Sequence, residues 1–210
     1  LDRFNLNRTP NFEPRRGPAV PGYIAASKSS LLYLPIKSGP VAVVKAWLAG
    51  LDDAQQDDLL GKFTQKSLRQ WKRQLPGHRS FTVLRHPVAR AHAAFYDKIL
   101  SSDEGSLTEI RNILRNQFKL PIPAKYSDPV YTPLEHRAAF LAFLKFVKSN
   151  IASQTAIRVD AHWATQSQAL QGFAEFASPD LVLREERLEE DLGIVAAQVG
   201  ESTMPKIADV

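Results

Sequence analysis

The sequence predicts an α/β fold built on a parallel sheet. Three short apolar runs, at residues 30–36, 81–84 and 180–184, have the length of buried strands. Each is closed by a turn or by charged residues. Each then leads into a stretch whose apolar residues recur at helical spacing. Strands that alternate with helices build a parallel sheet with helices on its faces. At 210 residues and 44% hydrophobic content, one domain with a sizeable core is the expectation. It is placed at residues 23–200, between an extended arm at 1–22 and a frayed end at 201–210.

Residues 1–22 are rich in Pro, Asn and Arg and show no periodicity. Ser30-Leu31-Leu32-Tyr33-Leu34-Pro35-Ile36 is expected to be the first core strand. Lys37-Ser38-Gly39-Pro40 follows as a turn. Val41, Val44, Trp47, Leu48 and Leu51 then give the apolar face of a helix with Pro40 in its first turn. In physical terms a strand, a glycine-containing loop and a helix N-terminus form a phosphate cradle, with Lys37 as a mobile cation. The alternative is an ordinary turn with a solvated lysine. Residues 53–60 and 65–74 predict two short helices, Ser67 capping part of the second and Leu75-Pro76-Gly77 ending it.

The strand Phe81–Leu84 stops at Arg85, and Pro87 suits the first turn of a helix. Val88, Ala91, Phe95 and Ile99 are expected on one buried face. Arg85 thus falls at a strand's carboxyl end, where α/β sheets bind ligands, and its rigid fork suits phosphate. Residues 101–131 are polar, with a helix expected from Ser106 to Gln117 and irregular chain after it, as part of an acceptor-side surface. A helix from Pro133 to about Ser149 is expected to bury Phe140, Phe143, Leu144 and Val147. In Asp160-Ala161-His162-Trp163, His162 can act as base or donor, and Trp163 as a stacking face for a purine or sugar. Alternatively Trp163 plugs the core and His162 caps a turn. The strand Asp180–Arg184 leads into an acidic run that opens a helix, with Leu188, Leu192 and Val195 buried.

The net charge of +5 and pI near 9.5 suit a polyanionic partner such as a nucleotide or an acidic glycan. Lys and Arg are spread along the chain, which argues against nucleic acid. No cysteine is present, so disulfides and thiolate metal sites are excluded. A reducing cytoplasm fits that composition. No apolar run approaches the ~18 residues of a membrane span. The sequence starts at Leu1, and a leader or anchor ahead of it stays an open alternative.

Arg85-His86-Pro87-Val88-Ala89-Arg90, followed by Ala93-Ala94-Phe95-Tyr96, resembles the 3'-phosphate-binding segment of sulfotransferases that use 3'-phosphoadenosine 5'-phosphosulfate (PAPS). The carbohydrate sulfotransferase branch is the most similar. His86 stands where that family has Asp, and Ala93 where it has a phosphate-binding Ser. Pro35, Lys37 and Gly39 resemble its 5'-phosphosulfate loop, with Pro40, Val41 and Ala42 at the hydroxyl positions. His162-Trp163 with Gln166, and the strand before Leu188 and Asp191, resemble two further landmarks.

The resemblance implies a P-loop nucleotide-kinase-like sheet flanked by helices. It implies transfer of a sulfuryl group from PAPS to a hydroxyl acceptor, with carbohydrate the expected class, without a metal. Lys37, Ser38, Gly39, Pro40, Val41 and Ala42 are then expected at the 5'-phosphosulfate. Arg85 and Ala93 are expected at the 3'-phosphate. Lys37 is the charge-neutralising catalytic group, with His162, His136 and Glu135 as candidate bases. Two alternatives remain: a sulfotransferase-like binding module without catalysis, and a nucleotide-dependent kinase, which lacks the Gly-Lys-Ser/Thr ending that holds magnesium.

Overall fold

The computed structural model describes residues 22–61, 63–123, 131–176, 178–201 and 205. The expected arm (residue 22 apart), the expected frayed end (residues 201 and 205 apart) and residues 124–130 of the expected acceptor-side surface lie outside them. The chain divides into two compact units. One is the segment Pro87–Thr165. The other is formed by the chain on either side of it.

The second unit holds a four-stranded sheet in the order β1-β2-β3-β4, with β1 Ile24–Ala26, β2 Leu31–Tyr33, β3 Arg79–Leu84 and β4 Leu181–Arg184. β1 runs antiparallel to β2, and β2, β3 and β4 are parallel. In register, Tyr33 lies beside Phe81, and Leu84 beside Arg184. Side chains alternate across the sheet as the period of two requires. Leu31, Tyr33, Phe81 and Val83 face one cluster with Val44, Trp47 and Leu48 of α1 (Val41–Leu51). Leu188, Leu192 and Val195 of α7 (Leu188–Gln198) complete it. Leu32 and Leu34 face a second cluster. There they meet Leu68 and Trp71 of α2 (Gln65–Gln74), and Ala169 and Phe173 of α6 (Gln166–Ala174). The unit is therefore a helix–sheet–helix sandwich, the α/β class the sequence predicts.

The structure corrects three expectations. The run from Ser30 is the second strand, not the first, and it is regular only from Leu31 to Tyr33. Pro35 cannot donate to the ladder, although Leu34 N still donates to Phe81 O at 2.8 Å. β1 is too short to show alternation in sequence. Residues 53–60 form one 3-10 turn, Gln56–Asp58, rather than a helix. Asp53 takes a left-handed φ of 49°, and Leu60 exchanges two backbone hydrogen bonds with Ala25. That pairing pulls the segment onto the sheet edge. α2 lies where it is expected, but Thr64 is its N-cap, with Ser67 the reciprocal partner of a capping box.

The unit Pro87–Thr165 is helical: α3 (Pro87–Ala94), a π-helical turn (Phe95–Leu100), α4 (Thr108–Asn116) and α5 (Pro133–Ile151). Phe95, Ile99, Leu100, Leu114, Phe143, Phe146 and Trp163 form its core. The π-turn adds a residue to the helical repeat, so its side chains are rotated relative to those of α3. Phe95 and Ile99 are buried as expected, whereas Val88, expected on the same face, is exposed. On α5 the stripe centres on Phe143, Phe146 and Val147, with Phe140 and Leu144 only partly covered. Among the described residues, no helix is long and apolar enough to cross a membrane.

Candidate functional site

The turn from Lys37 to Pro40 joins β2 to α1. Its shape is set by two local constraints. Ser38 holds a left-handed φ of 58°, uncommon for a residue with a side chain. A Cβ on Gly39 would lie 2.9 Å from Ile36 O, so a larger residue would have to displace backbone. Gly39 N donates to Ile36 O at 3.0 Å, and Val41 N to Gly39 O at 2.8 Å. Pro40, the N-cap of α1, has no N–H and no side-chain cap bond. Of the expected cradle, Gly39, Pro40 and Val41 therefore have no backbone donor left for an anion. Their N–H groups are used inside the turn or do not exist. The first helical turn adds donors at Ala42 and Val43. Pro40, Val41 and Ala42 carry no hydroxyl, so an anion at this turn would meet helix N–H groups and cations.

Arg85 comes directly after β3. Its peptide is held on both sides by one side-chain amide: Arg85 N donates to Gln166 Oε1 at 2.9 Å, and Gln166 Nε2 donates to Arg85 O at 2.8 Å. Its guanidinium is held twice more. Nε lies 2.9 Å from Glu185 Oε2, an ion pair whose side chains are 24% and 20% exposed. Nη1 reaches Ser38 O at 3.4 Å. The arginine thus ties the β2–α1 turn to the turn after β4. Burial pushes the Glu185 carboxyl up from its ordinary range; Arg85 opposes that shift, and Glu186 adds to it. Tyr33, fully buried on β2, has its hydroxyl pushed up by burial and then by Glu185. That hydroxyl has no hydrogen-bond partner among the described residues.

The remaining expected residues lie in the helical unit. Arg90 is 5% exposed, and burial lowers its pKa to about 10. It donates to Ala164 O and Ala161 O, bracing the turn that carries His162. This second arginine of the motif is a structural brace. His162 is half-buried, and its backbone N–H is capped by Asp160 Oδ1 at 2.8 Å. Trp163 is 3% exposed and donates from Nε1 to Asn150 Oδ1 at 2.8 Å. It plugs the core, so the stacking-face alternative fails. Ala93 lies on α3 with a side chain that offers no hydrogen bond. Glu135 accepts from Thr132 N and Oγ1 in the capping box of α5, and its carboxylate is committed there.

His136, another of the expected candidate bases, lies beside a second histidine. Its Nε2 lies 2.9 Å from Nε2 of His92, which is exposed, and its Nδ1 lies 3.2 Å from the Tyr131 hydroxyl. The contact with His92 is missed in sequence, because 44 residues separate the two rings. Burial lowers the His136 pKa, and the His92 charge lowers it further. A base with a depressed folded pKa favours the fold while neutral. That stability is complete above the unfolded value near 6.5 and is lost as pH falls through the lowered folded value. The melting temperature of the protein should accordingly fall on acidification below about pH 6.5, and His136→Gln should flatten that slope.

Residues 49–207 match the sulfotransferase family over more than half of the chain. The chain belongs to the sulfotransferase family. Comparison with curated proteins and with solved structures returns no match. The matched span of this sulfotransferase includes Arg85, Ala93, His136, His162 and Glu185, but it begins after the Lys37–Ala42 turn. Among the described residues of the sulfotransferase, no cluster of three or more His, Cys, Asp or Glu is placed to hold a metal ion. The fold brings Lys37–Ala42 and Arg85 together in the sheet unit. Gln166 is legible as part of the His162-Trp163 landmark, although its clamp on Arg85 is not. Glu185 reads in sequence only as one acid in a charged run.

Proposed function

We propose that this chain is a PAPS-dependent sulfotransferase acting on a hydroxyl-bearing acceptor, with a carbohydrate the favoured class. The observation that carries the reading is Arg85, fixed at the end of β3 with a guanidinium edge against the β2–α1 turn. A strand-end arginine beside a helix N-terminus is chemistry for a nucleotide with phosphates at two positions.

In this reading the first-turn N–H groups of α1 and Lys37 receive the 5'-phosphosulfate, and Arg85 receives the 3'-phosphate. The acceptor oxygen forms a bond to sulfur while the bond from sulfur to the bridging phosphate oxygen breaks. The electron pair of that bond leaves with 3'-phosphoadenosine 5'-phosphate. As in phosphoryl transfer, positioning and charge stabilisation dominate, and Lys37 offsets the charge that grows on the leaving oxygen. The acceptor's proton goes to a base, with His162 and His136 the candidates. The net charge of +5 suits an anionic donor and an acidic acceptor.

The missing hydroxyls at Pro40, Val41, Ala42 and Ala93 favour a second reading, a sulfotransferase-like module that binds without transfer. Each absent neutral hydrogen bond costs only ~0.5–1.5 kcal/mol, so donor binding is expected to be weakened rather than lost. A donor-dependent transfer assay on glycans and small alcohols, run beside calorimetry with 3'-phosphoadenosine 5'-phosphate, separates the two. Transfer is expected, and Lys37→Ala should lower kcat more than nucleotide affinity. Nucleotide binding without transfer on any acceptor would leave the binding module as the better account.

A further inference from the structure

We propose that the outer face of α2 is a docking surface for an acidic polysaccharide, a chain with a carboxylate or sulfate on each sugar. The face is separate from Lys37–Ala42 and Arg85, and the proposal does not rest on the PAPS reading.

α2 includes Lys66, Arg69, Lys72 and Arg73 and no Asp or Glu. Residues three and four apart share a helix face, so Lys66, Arg69, Gln70 and Arg73 line up on one side. All of these side chains are exposed. Among the described residues, Lys66, Arg69 and Arg73 make no ion pair. The opposite face carries Leu68 and Trp71, buried with Leu32 and Leu34 of the sheet. Burial of that apolar face turns the basic one outward. A recess of about 690 Å³ lies against the basic face, and its described lining is Thr64, Gln65, Lys66, Arg69, Gln70 and Arg73.

The stability of the helix does not account for this arrangement. A helix N-terminus favours acidic residues, but the first turn of α2 has none, and Lys66 stands there instead. Lys66 repels Arg69 at three residues' separation, and Arg69 repels Arg73 at four. Of the three cations only Arg73, in the last turn, suits the helix dipole. A polyanion laid along the face would relieve the repulsion and offset the charge of Lys66 at the N-terminus. Charge complementarity therefore points to an anionic occupant.

Spacing and lining select a polysaccharide among polyanions. At about 1.5 Å of rise per residue, the three cations stand about 5 Å apart along about 10 Å of helix. That step is comparable with the length of a single sugar ring. Duplex DNA instead carries a charge for about every 1.7 Å of its axis. Single strands are held by stacking on aromatic side chains, and no aromatic residue is among the described lining of the recess. A membrane surface would need apolar side chains to insert, and those of α2 are committed to the core. Gln70, set among the cations, has an amide that can donate to and accept from sugar hydroxyls.

Titration calorimetry of the full chain with an alginate octasaccharide, which bears one carboxylate on each sugar, tests the proposal. No nucleotide is added, so the outcome is independent of the PAPS reading. The parent is expected to bind at low salt and to lose affinity as salt rises. The triple variant Lys66→Gln, Arg69→Gln, Arg73→Gln is expected to bind about tenfold more weakly. Its slope of log K against log salt should be shallower by about 2–3. Gln suits a helix and the like charges are gone, so its melting temperature should equal or exceed the parent's. The variant Arg137→Gln, Lys145→Gln, Lys148→Gln removes the same charge from exposed positions on α5 and should bind like the parent. Equal weakening by the two triple variants would reduce the effect to net charge and overturn the proposal. So would a parent that does not bind, or an α2 variant that binds as the parent does. DNA of matched charge, single- or double-stranded, and phosphatidylserine vesicles are expected to bind more weakly than the octasaccharide. Tighter binding of either, lost in the α2 variant, would assign the face to nucleic acid or membrane instead.

Discussion

Arg85→Ala is expected to weaken binding of 3'-phosphoadenosine 5'-phosphate by roughly 2–3 kcal/mol, about 30- to 150-fold. The loss is that of a charge-assisted contact made by several donors at once. The substitution also has a cost in stability, because Glu185 stays mostly covered while its partner leaves. With both side chains about a quarter exposed, that cost is about 1–2 kcal/mol after allowance for screening. Its pH dependence has a definite sign. The Glu185 carboxyl is already pushed up by burial, and removal of Arg85 pushes it further. A group with a raised folded pKa favours the fold when protonated. The stability deficit of Arg85→Ala against the parent should therefore be largest at neutral pH and shrink as pH falls through the raised Glu185 value. Melting curves at about pH 5 and about pH 8, with titrations at both, check this. Equal nucleotide affinity in parent and Arg85→Ala would remove the arginine from the site.

The sheet is legible in sequence because β2 and β3 are covered on both faces, while β4 is an apolar run with only Leu183 buried. Strands buried on both faces read as continuous apolar runs, and Leu31–Tyr33 and Phe81–Leu84 have that character. α2 and α5 are legible from period and breakers. β1 is not, because three residues between a glycine and a polar turn carry no periodic signal. The 3-10 turn at Gln56–Asp58 reads as part of a helix, but the tertiary pairing of Leu60 with Ala25 overrides local propensity. At the site, the sequence places the charge-bearing residues, Lys37 and Arg85, at strand ends. It does not reveal that Gly39 and Val41 use their N–H groups within the turn. Nor does it reveal that Gln166 and Glu185 hold Arg85 from far along the chain. Hydrogen-bond direction and long-range pairing are properties of the fold, and neither leaves a local pattern.

Trp163→Ala is expected to cost about 3–5 kcal/mol of stability, the range for deleting a large buried aromatic. The indole stands edge-on to Phe143 at 5.7 Å and to Phe146 at 6.3 Å. Its Nε1–H satisfies Asn150, whose amide also donates to Thr155 Oγ1 and Ile157 O. The truncation empties a closely packed region and orphans a buried acceptor, two effects that add. Trp163→Phe separates them. It keeps most of the ring volume and loses the N–H, so about 1–2 kcal/mol is expected. Both variants should show their effect in thermal or denaturant unfolding. The Phe variant, folded at low temperature, should keep the parent's nucleotide affinity and acceptor KM, because the indole is buried and offers no open face to a ligand. An acceptor KM raised severalfold in Trp163→Phe at unchanged unfolding midpoint would restore the tryptophan as a stacking platform. The core assignment would then be wrong.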